Sequence, residues 1–336
     1  QKPKKIKESK ESKESKEIKQ NHRNINKSSK VYILKNNYTS MNMKVVTAVV
    51  NNPIFIEIQY YTLKKYMKCD YEFIVFNDAK DFCDFTNGCD ITIKTTIEDI
   101  CKKLNIQCIN INNQHHSNTN NRFCQEPSHR TADSMNFILE YQKQYPDYYL
   151  LLDSDMFLID DYNIEDYSKY DCSIVLQHRK DIDKITDIFY IWNGLYYFNI
   201  HKLDTSLMDW GLSYTTDTGG RMTKWLNTLV PTLPLLQDLS INHNHSYYKN
   251  IEYNKVHFIK YLKSGEWNIH DMPSNLRANE RLVSFLQNDI RNVNGAFFCE
   301  LYDNKFFHYR AGGNWEKRNF NLHVDLSHQL KAIFIE

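Results

Sequence analysis

The apolar positions of the chain recur with two different periods. Residues 44–50 form a β-branched run, the pattern of a strand buried on both faces of a sheet. Asn51-Asn52-Pro53 then makes a turn, and residues 54–67 set Ile54, Ile58, Tyr61 and Tyr66 near one face of a helix. A second apolar strand, 73–76, closes in Asn77-Asp78. This β-α-β succession is the unit that seeds a parallel sheet. Residues 97–111 read as a short helix and a strand, and 112–127 as a long polar loop. A helix is expected over 128–144, with Ser128 as N-cap and Ala132, Met135, Phe137, Leu139 and Tyr141 buried. Tyr148–Leu152 is a continuous apolar strand, 172–177 and 195–200 are further strands, and 221–229 is a helix. The whole reads as an α/β domain, a central, mainly parallel sheet flanked by helices.

Residues 1–40 break this pattern. Lys7, Lys10, Lys13, Lys16 and Lys19 recur every three residues in a Lys-Glu-Ser repeat, with Ile6 and Ile18 as its apolar neighbours. Such a stretch cannot offset the entropy of ordering, so a disordered tail is expected over 1–40 and a folded domain over 41–336. The tail holds 12 Lys+Arg and four Glu, net +8, which leaves 30 basic and 37 acidic groups, net −7, in the remainder. A fold that is acidic overall argues against a nucleic-acid partner. The tail is either solvated or an electrostatic tether to an anionic surface. No apolar stretch reaches the ~18 residues of a membrane span. Eight cysteines, none in a Cys-x-x-Cys pair and with no secretory signal, read as free thiols in a reducing, cytoplasmic compartment.

The chemistry gathers where Tyr148–Leu152 ends, in Asp153-Ser154-Asp155. A buried strand delivers such a pair to the C-terminal edge of the sheet, where open α/β sheets bind ligands. Two carboxylates so close repel each other, and a divalent cation removes the conflict; hard oxygen ligands suit Mn²⁺ or Mg²⁺. The other reading is a plain acidic turn, and the apolar residues 156–159 on its far side weigh against that. Nine glycines and no Gly-x-Gly-x-x-Gly exclude a dinucleotide fingerprint or Walker loop, so a nucleotide's phosphate charge would fall to the metal.

Further candidates follow in chain order. Asn77-Asp78 either caps its turn or contacts a base or ribose. Arg130, with His129 and Asp133, stands in a first helical turn, a natural diphosphate partner; the alternative is a surface ion pair. Gly194, after Trp192-Asn193, allows close backbone approach to a ligand. Asp217 in Asp217-Thr218-Gly219-Gly220 reads as a helix cap, yet two consecutive glycines in so glycine-poor a chain suggest a substrate passing close. Asp238 follows a proline-containing connection. His308 ends a late apolar strand ahead of Gly312-Gly313-Asn314-Trp315, which raises it from structural histidine to candidate ligand.

Over residues 43–315 the order of these features resembles the metal-dependent glycosyltransferases of the GT-A fold. The resemblance rests on the first β-α-β unit, on Arg130-Thr131-Ala132 in the helix before the strand, and on Asp153-Ser154-Asp155 as the family's Asp-x-Asp. His308 with Gly312-Gly313-Asn314-Trp315 is similar to the late His-x-x-Gly…Trp segment of the glycogenin-like branch. The resemblance implies a Rossmann-like domain whose 41–160 half binds a nucleotide-sugar, a UDP-sugar for preference, and whose 161–336 half faces a glycan, protein or small-molecule acceptor. It implies Mn²⁺ or Mg²⁺ held by Asp153, Asp155 and His308 with the donor diphosphate. Asn77, Asp78, Arg130, Asp133 and Ser154 would surround the donor. Asn193 and Gly194 would lie on its sugar and acceptor side, Gly312 and Gly313 near its phosphates, and Gly219, Gly220 and Trp315 would complete the donor site.

Asp217, with Asp238 as the weaker candidate, would act as base on the acceptor if the reaction inverts, or position the sugar if it retains. Asp217-Thr218-Gly219-Gly220 stands where that branch has Asp-Gln-x, so the stereochemistry stays open. A haloacid-dehalogenase-type phosphohydrolase also places Asp-x-Asp after an apolar strand, though usually the first one. A nucleotidyltransferase would show a basic Gly-rich loop where this chain has Asn51-Asn52-Pro53. A non-catalytic sugar- or nucleotide-binding protein on the same fold is the third alternative. The abundance of Asn, Ile, Lys and Tyr, with the Lys-rich leader, resembles giant-virus proteins, which would place the protein in host cytoplasm or virion.

Overall fold

The computed structural model describes residues 42–82, 90–112, 127–180, 183–184, 187–213, 215–230, 251–253, 255–310 and 320–335. Backbone contacts gather Ser40–Glu336 into one unit; the tail expected over 1–40 lies outside the described residues.

Eight strands form the main sheet. Their order is β3 (Gln107–Asn110), β2 (Tyr71–Asn77), β1 (Met43–Val49), β4 (Tyr148–Leu152), β7 (Asp187–Asn199), β6 (Cys172–Lys180), β9 (Val256–Phe258) and β8 (Ile251–Tyr253). The strands β7 and β8 run against the other six, so the sheet is mixed but mostly parallel. Helices α1 (Ile54–Tyr66) and α2 (Ile93–Leu104) share a core with one face, and α3 (Pro127–Gln144) with the other. Alternation within each strand feeds both cores. Val45 and Val49 of β1 pack with α1 and α2 while Val46 packs with α3; Leu150 and Leu152 of β4 oppose Tyr149 and Leu151 in the same way.

From β1 the chain winds outward through β2 to β3, then returns by way of α3 to β4 on the other side of β1. The strand order reverses between β1 and β4. Their C-terminal ends therefore flank the crevice where open α/β sheets bind ligands.

Short helices α4 (Glu165–Ser168), α5 (Thr223–Leu229) and α6 (Ser274–Arg277) fill connections. A second sheet, four-stranded and antiparallel, was not foreseen. Its order is β10 (Tyr261–Leu262), β11 (Glu300–Tyr302), β12 (Phe306–His308) and β5 (Met156–Leu158). Helices α7 (Glu280–Asn288) and α8 (Phe320–Phe334) pack with it, joined by Phe55 and Ile58 of α1.

That second sheet explains where the helical pattern misled. Because α1 packs on both sheets, it buries Phe55, Ile56, Ile58, Gln59, Thr62 and Leu63, while Tyr61 is left exposed. In α3 the inward position is Ile138 rather than Phe137, and the helix starts at Pro127, so Ser128 lies in its first turn. No described helix is long and apolar enough to cross a membrane.

Candidate metal centre

Two strand pairings assemble the cluster. The strand β4 delivers Asp153 to the sheet edge, and the acidic turn passes directly into β5. In turn β5 pairs antiparallel with β12 in the register Met156↔His308, and the Tyr309 N–H donates to the Asp155 carbonyl at 2.9 Å. The late histidine is thereby held beside the two carboxylates.

His308 Nε2 lies 3.1 Å from Asp155 Oδ1 and 3.9 Å from Asp153 Oδ2. One ligand atom from each of the three residues falls within 4.8 Å of the others. Asp155 and His308 are buried, and the Asp153 carboxylate, 36% exposed, forms the open side. Desolvation and the neighbouring Asp155 raise Asp153 to about 7. Burial would lower His308, but Asp155 and Glu300 outweigh it and raise the imidazole to about 10. Both shifts have one origin: negative charge gathered in a partly desolvated place, neutralised by protons. A divalent cation does the same work and needs the same groups deprotonated. Two carboxylates and one imidazole therefore fit a divalent ion of the Mn²⁺ or Mg²⁺ kind.

Glu300 completes the centre and was missed in the sequence. It stands opposite His308 in the β11–β12 pairing, hence on the same face. Its Oε2 lies 2.9 Å from His308 Nδ1 and accepts from the Tyr302 hydroxyl at 2.8 Å; its Oε1 accepts from the Ser264 N–H at 3.2 Å. Burial would raise Glu300, but the His308 bond and charge, with Arg310 and Tyr302, hold it below the usual range. A carboxylate on Nδ1 fixes the tautomer and aims Nε2 at the ion. The signal that would have found Glu300 is the turn Asp303-Asn304 between Leu301-Tyr302 and Phe306-Phe307. Both turn residues take positive φ, 49° and 58°, in the tight turn that sets the hairpin register. Glu300→Gln should lower Mn²⁺ affinity about 10–100-fold by calorimetry with the fold intact; an unchanged affinity would remove Glu300 from the centre.

Gln59, buried on α1, braces the acidic turn from beneath. Its Nε2 donates to the carbonyls of Asp153, at 2.8 Å, and Met156, at 3.1 Å. Within the turn the Ser154 N–H closes onto Asp153 Oδ1 at 2.8 Å.

Asn77 is buried with both ends of its amide engaged, donating to the Lys94 carbonyl at 3.0 Å and accepting from the Ala79 N–H at 3.2 Å. These bonds make it the cap of its turn. Asp78 is buried and accepts from the Ser134 hydroxyl at 2.5 Å, tying α3 to the end of β2. Arg130 lies in the first turn of α3; Asp133, in the second, is exposed and lines a cleft with His129, Asn136, Asp209 and Arg221.

Asp217 makes no helix cap. Its Oδ2 pairs with Arg179 at 3.3 Å and its Oδ1 accepts from the Thr218 N–H at 2.9 Å, while the helical path starts with a 3₁₀ turn at Gly220–Met222. Packing already crowds the two glycines. Gly219 has φ +92°, and a Cβ there would lie 2.0 Å from the Ile191 carbonyl oxygen; one on Gly220 would lie 1.7 Å from Thr216 Oγ1. Beside Gly194 the Trp192 indole lies 2.1 Å from an added Cβ. Asn193 is partly buried next to it. Asp238, Gly312, Gly313 and Trp315 lie outside the described residues.

The sequence matches no protein-family model and no curated protein.

Proposed function

We propose that the protein is a divalent-metal-dependent glycosyltransferase that moves a sugar from a nucleoside-diphosphate sugar to an acceptor hydroxyl. The observation that carries this reading is the Asp153–Asp155–His308 cluster at the crevice between β1 and β4. A mostly parallel sheet with that cluster at its switch point is compatible with a GT-A-like fold. Mn²⁺ or Mg²⁺ held there would supply Lewis-acid and electrostatic stabilisation to a departing diphosphate. The rest falls to the chain's own residues. Glu300 holds the Nδ1 proton of His308, and Gln59 and Tyr309 hold the backbone of the acidic turn. Arg179 and the Thr218 N–H orient the Asp217 carboxylate, the candidate to take the proton of the acceptor hydroxyl or to position the sugar.

The test is a thermal-shift screen of the full chain against UDP-, GDP- and ADP-sugars with and without Mn²⁺, followed by detection of the released nucleoside diphosphate. A ligand that binds only the native state at 100 times its Kd adds about 2.7 kcal/mol of stability. The expected result is a rise in Tm that needs metal and sugar nucleotide together, followed by slow release of the diphosphate. Turnover of a generic phosphate ester with no response to any sugar nucleotide would replace this reading with a phosphohydrolase.

A further inference from the structure

One aromatic side chain packs against the metal centre without being one of its candidate ligands. In the β6–β7 pairing the register runs from Ile174↔Tyr196 to Leu176↔Ile191, so residues 192–195 of β7 stand against Val175 alone. Such an irregularity re-aims the side chains it carries. Here it is tied to the acidic turn, because the Asp153 N–H donates to the Gly194 carbonyl at 2.7 Å. The side chain it aims is Trp192. Its indole stacks on Tyr302 at 5.0 Å between centroids and 11° between planes, and lies 5.1 Å from the His308 ring. Gly194 is the glycine that leaves room for it.

Exposure distinguishes this ring from its neighbours. Tyr302, His308 and Tyr190 are buried, whereas Trp192 is only partly so. Among these rings it is the one this side of the metal centre offers to solvent. Two residues back along β7 the Tyr190 hydroxyl donates to Gln177 Oε1 at 2.9 Å, and Arg179, two residues beyond Gln177 on β6, holds Asp217 at 3.3 Å. Trp192 and Tyr190 share a face of the strand, opposite to Phe189 and Ile191, which join the core under α3. Along that face the indole therefore stands between the metal ligands and Asp217.

We propose that Trp192 is the platform for the transferred sugar and a specificity-determining residue of the donor site. This rests on the glycosyltransferase reading, in which the diphosphate is held at the metal and the acceptor is met near Asp217. The ring between those two points has to receive the sugar. A pyranose turns a face of C–H bonds outward, and the electron-rich face of an indole suits it while the hydroxyls remain for polar partners. The platform would favour sugars whose C–H face is uninterrupted by axial hydroxyls.

The experiment is calorimetry on the full chain with Mn²⁺ alone, then with the pairs UDP and UDP-glucose, and GDP and GDP-mannose, in wild type, Trp192→Leu and Trp192→Phe. The expected result is that Trp192→Leu weakens the sugar nucleotide by about tenfold. Mn²⁺ and the sugar-free diphosphate should bind as in wild type, and Trp192→Phe should keep most of the affinity. Equal weakening of diphosphate and sugar nucleotide, or a parallel loss of Mn²⁺ affinity, would overturn the proposal and make the indole a mere support for His308. Wild-type protein that binds Mn²⁺ but none of these sugar nucleotides would instead fail the glycosyltransferase reading itself, a result visible before any variant is made.

Discussion

In the Asp155→Ala protein, Mn²⁺ affinity should fall by more than about 100-fold while the fold survives. Removing a group behind a metal ligand already costs about 10–100-fold, and Asp155 is a ligand candidate itself, 3.1 Å from His308 Nε2. The fold should persist because Asp155 contributes to the second sheet through its carbonyl, which accepts from the Tyr309 N–H in any variant. Calorimetry gives the affinity and circular dichroism the fold; Mn²⁺ bound within tenfold of wild type would move the metal away from this cluster.

The same variant should flatten a pH dependence. In the metal-free protein, Asp153 at about 7 and His308 at about 10 both lie above their ordinary values. The stability they contribute is therefore present at low pH and lost as pH rises through about 7 and then about 10. Metal uptake has the opposite sign, because the ion replaces those protons. Wild-type Mn²⁺ affinity should climb across that window, and Asp155→Ala, which removes one carboxylate that raises both groups, should make the climb shallower.

Asp289→Ala should destabilise the protein by about 3–5 kcal/mol, the usual consequence of leaving half of a buried ion pair behind. The Asp289 side chain is fully buried and that of Arg291 is 10% exposed. Nε and Nη2 of Arg291 grip the carboxylate at 2.9 and 2.7 Å, and Nη1 donates to the Arg310 carbonyl at 2.9 Å. The guanidinium lies 4.0 Å from the Tyr309 ring centroid and 4.6 Å from that of Phe298. Without Asp289 that charge loses its carboxylate beside the core of the second sheet. Tyr309 and Arg310 directly follow His308, so loosening here should also weaken Mn²⁺ binding. Urea unfolding with and without Mn²⁺ measures both effects, and a loss under about 1 kcal/mol would show that the pair is effectively solvated.

Six strands of the main sheet were legible, at least in part, because their burial is two-sided, whereas β8, β9 and the first residues of β7 were not. Runs such as Val45-Val46 or Leu150-Leu151-Leu152 are apolar at every position, whatever packs on either face. The helix faces were less so. Tyr61 and Phe137 sit at plausible helical spacing, but which stripe of a helix is buried depends on how many layers cover it, and α1 is covered by two. The glycines at 194, 219 and 220 stood out in a glycine-poor chain for a sound reason, since none tolerates a Cβ. What crowds them is Trp192, the Ile191 carbonyl and Thr216, neighbours that only folding brings together.

As a sheet the second one was invisible to periodicity: only β12 was read, because the sheet's strands are two or three residues long. It nevertheless decides the chemistry. By itself the sequence determined that a buried strand ends in Asp153 and Asp155 and that a later apolar strand ends in His308. The tertiary structure decided that these ends meet, because β5 pairs with β12 in the single register that sets Met156 against His308. It also decided that Glu300 stands behind the imidazole, and that Trp192 faces it from β7. Local composition can place a carboxylate at a strand end, but the distance between two strand ends is set by hydrogen-bond register between segments far apart in the chain.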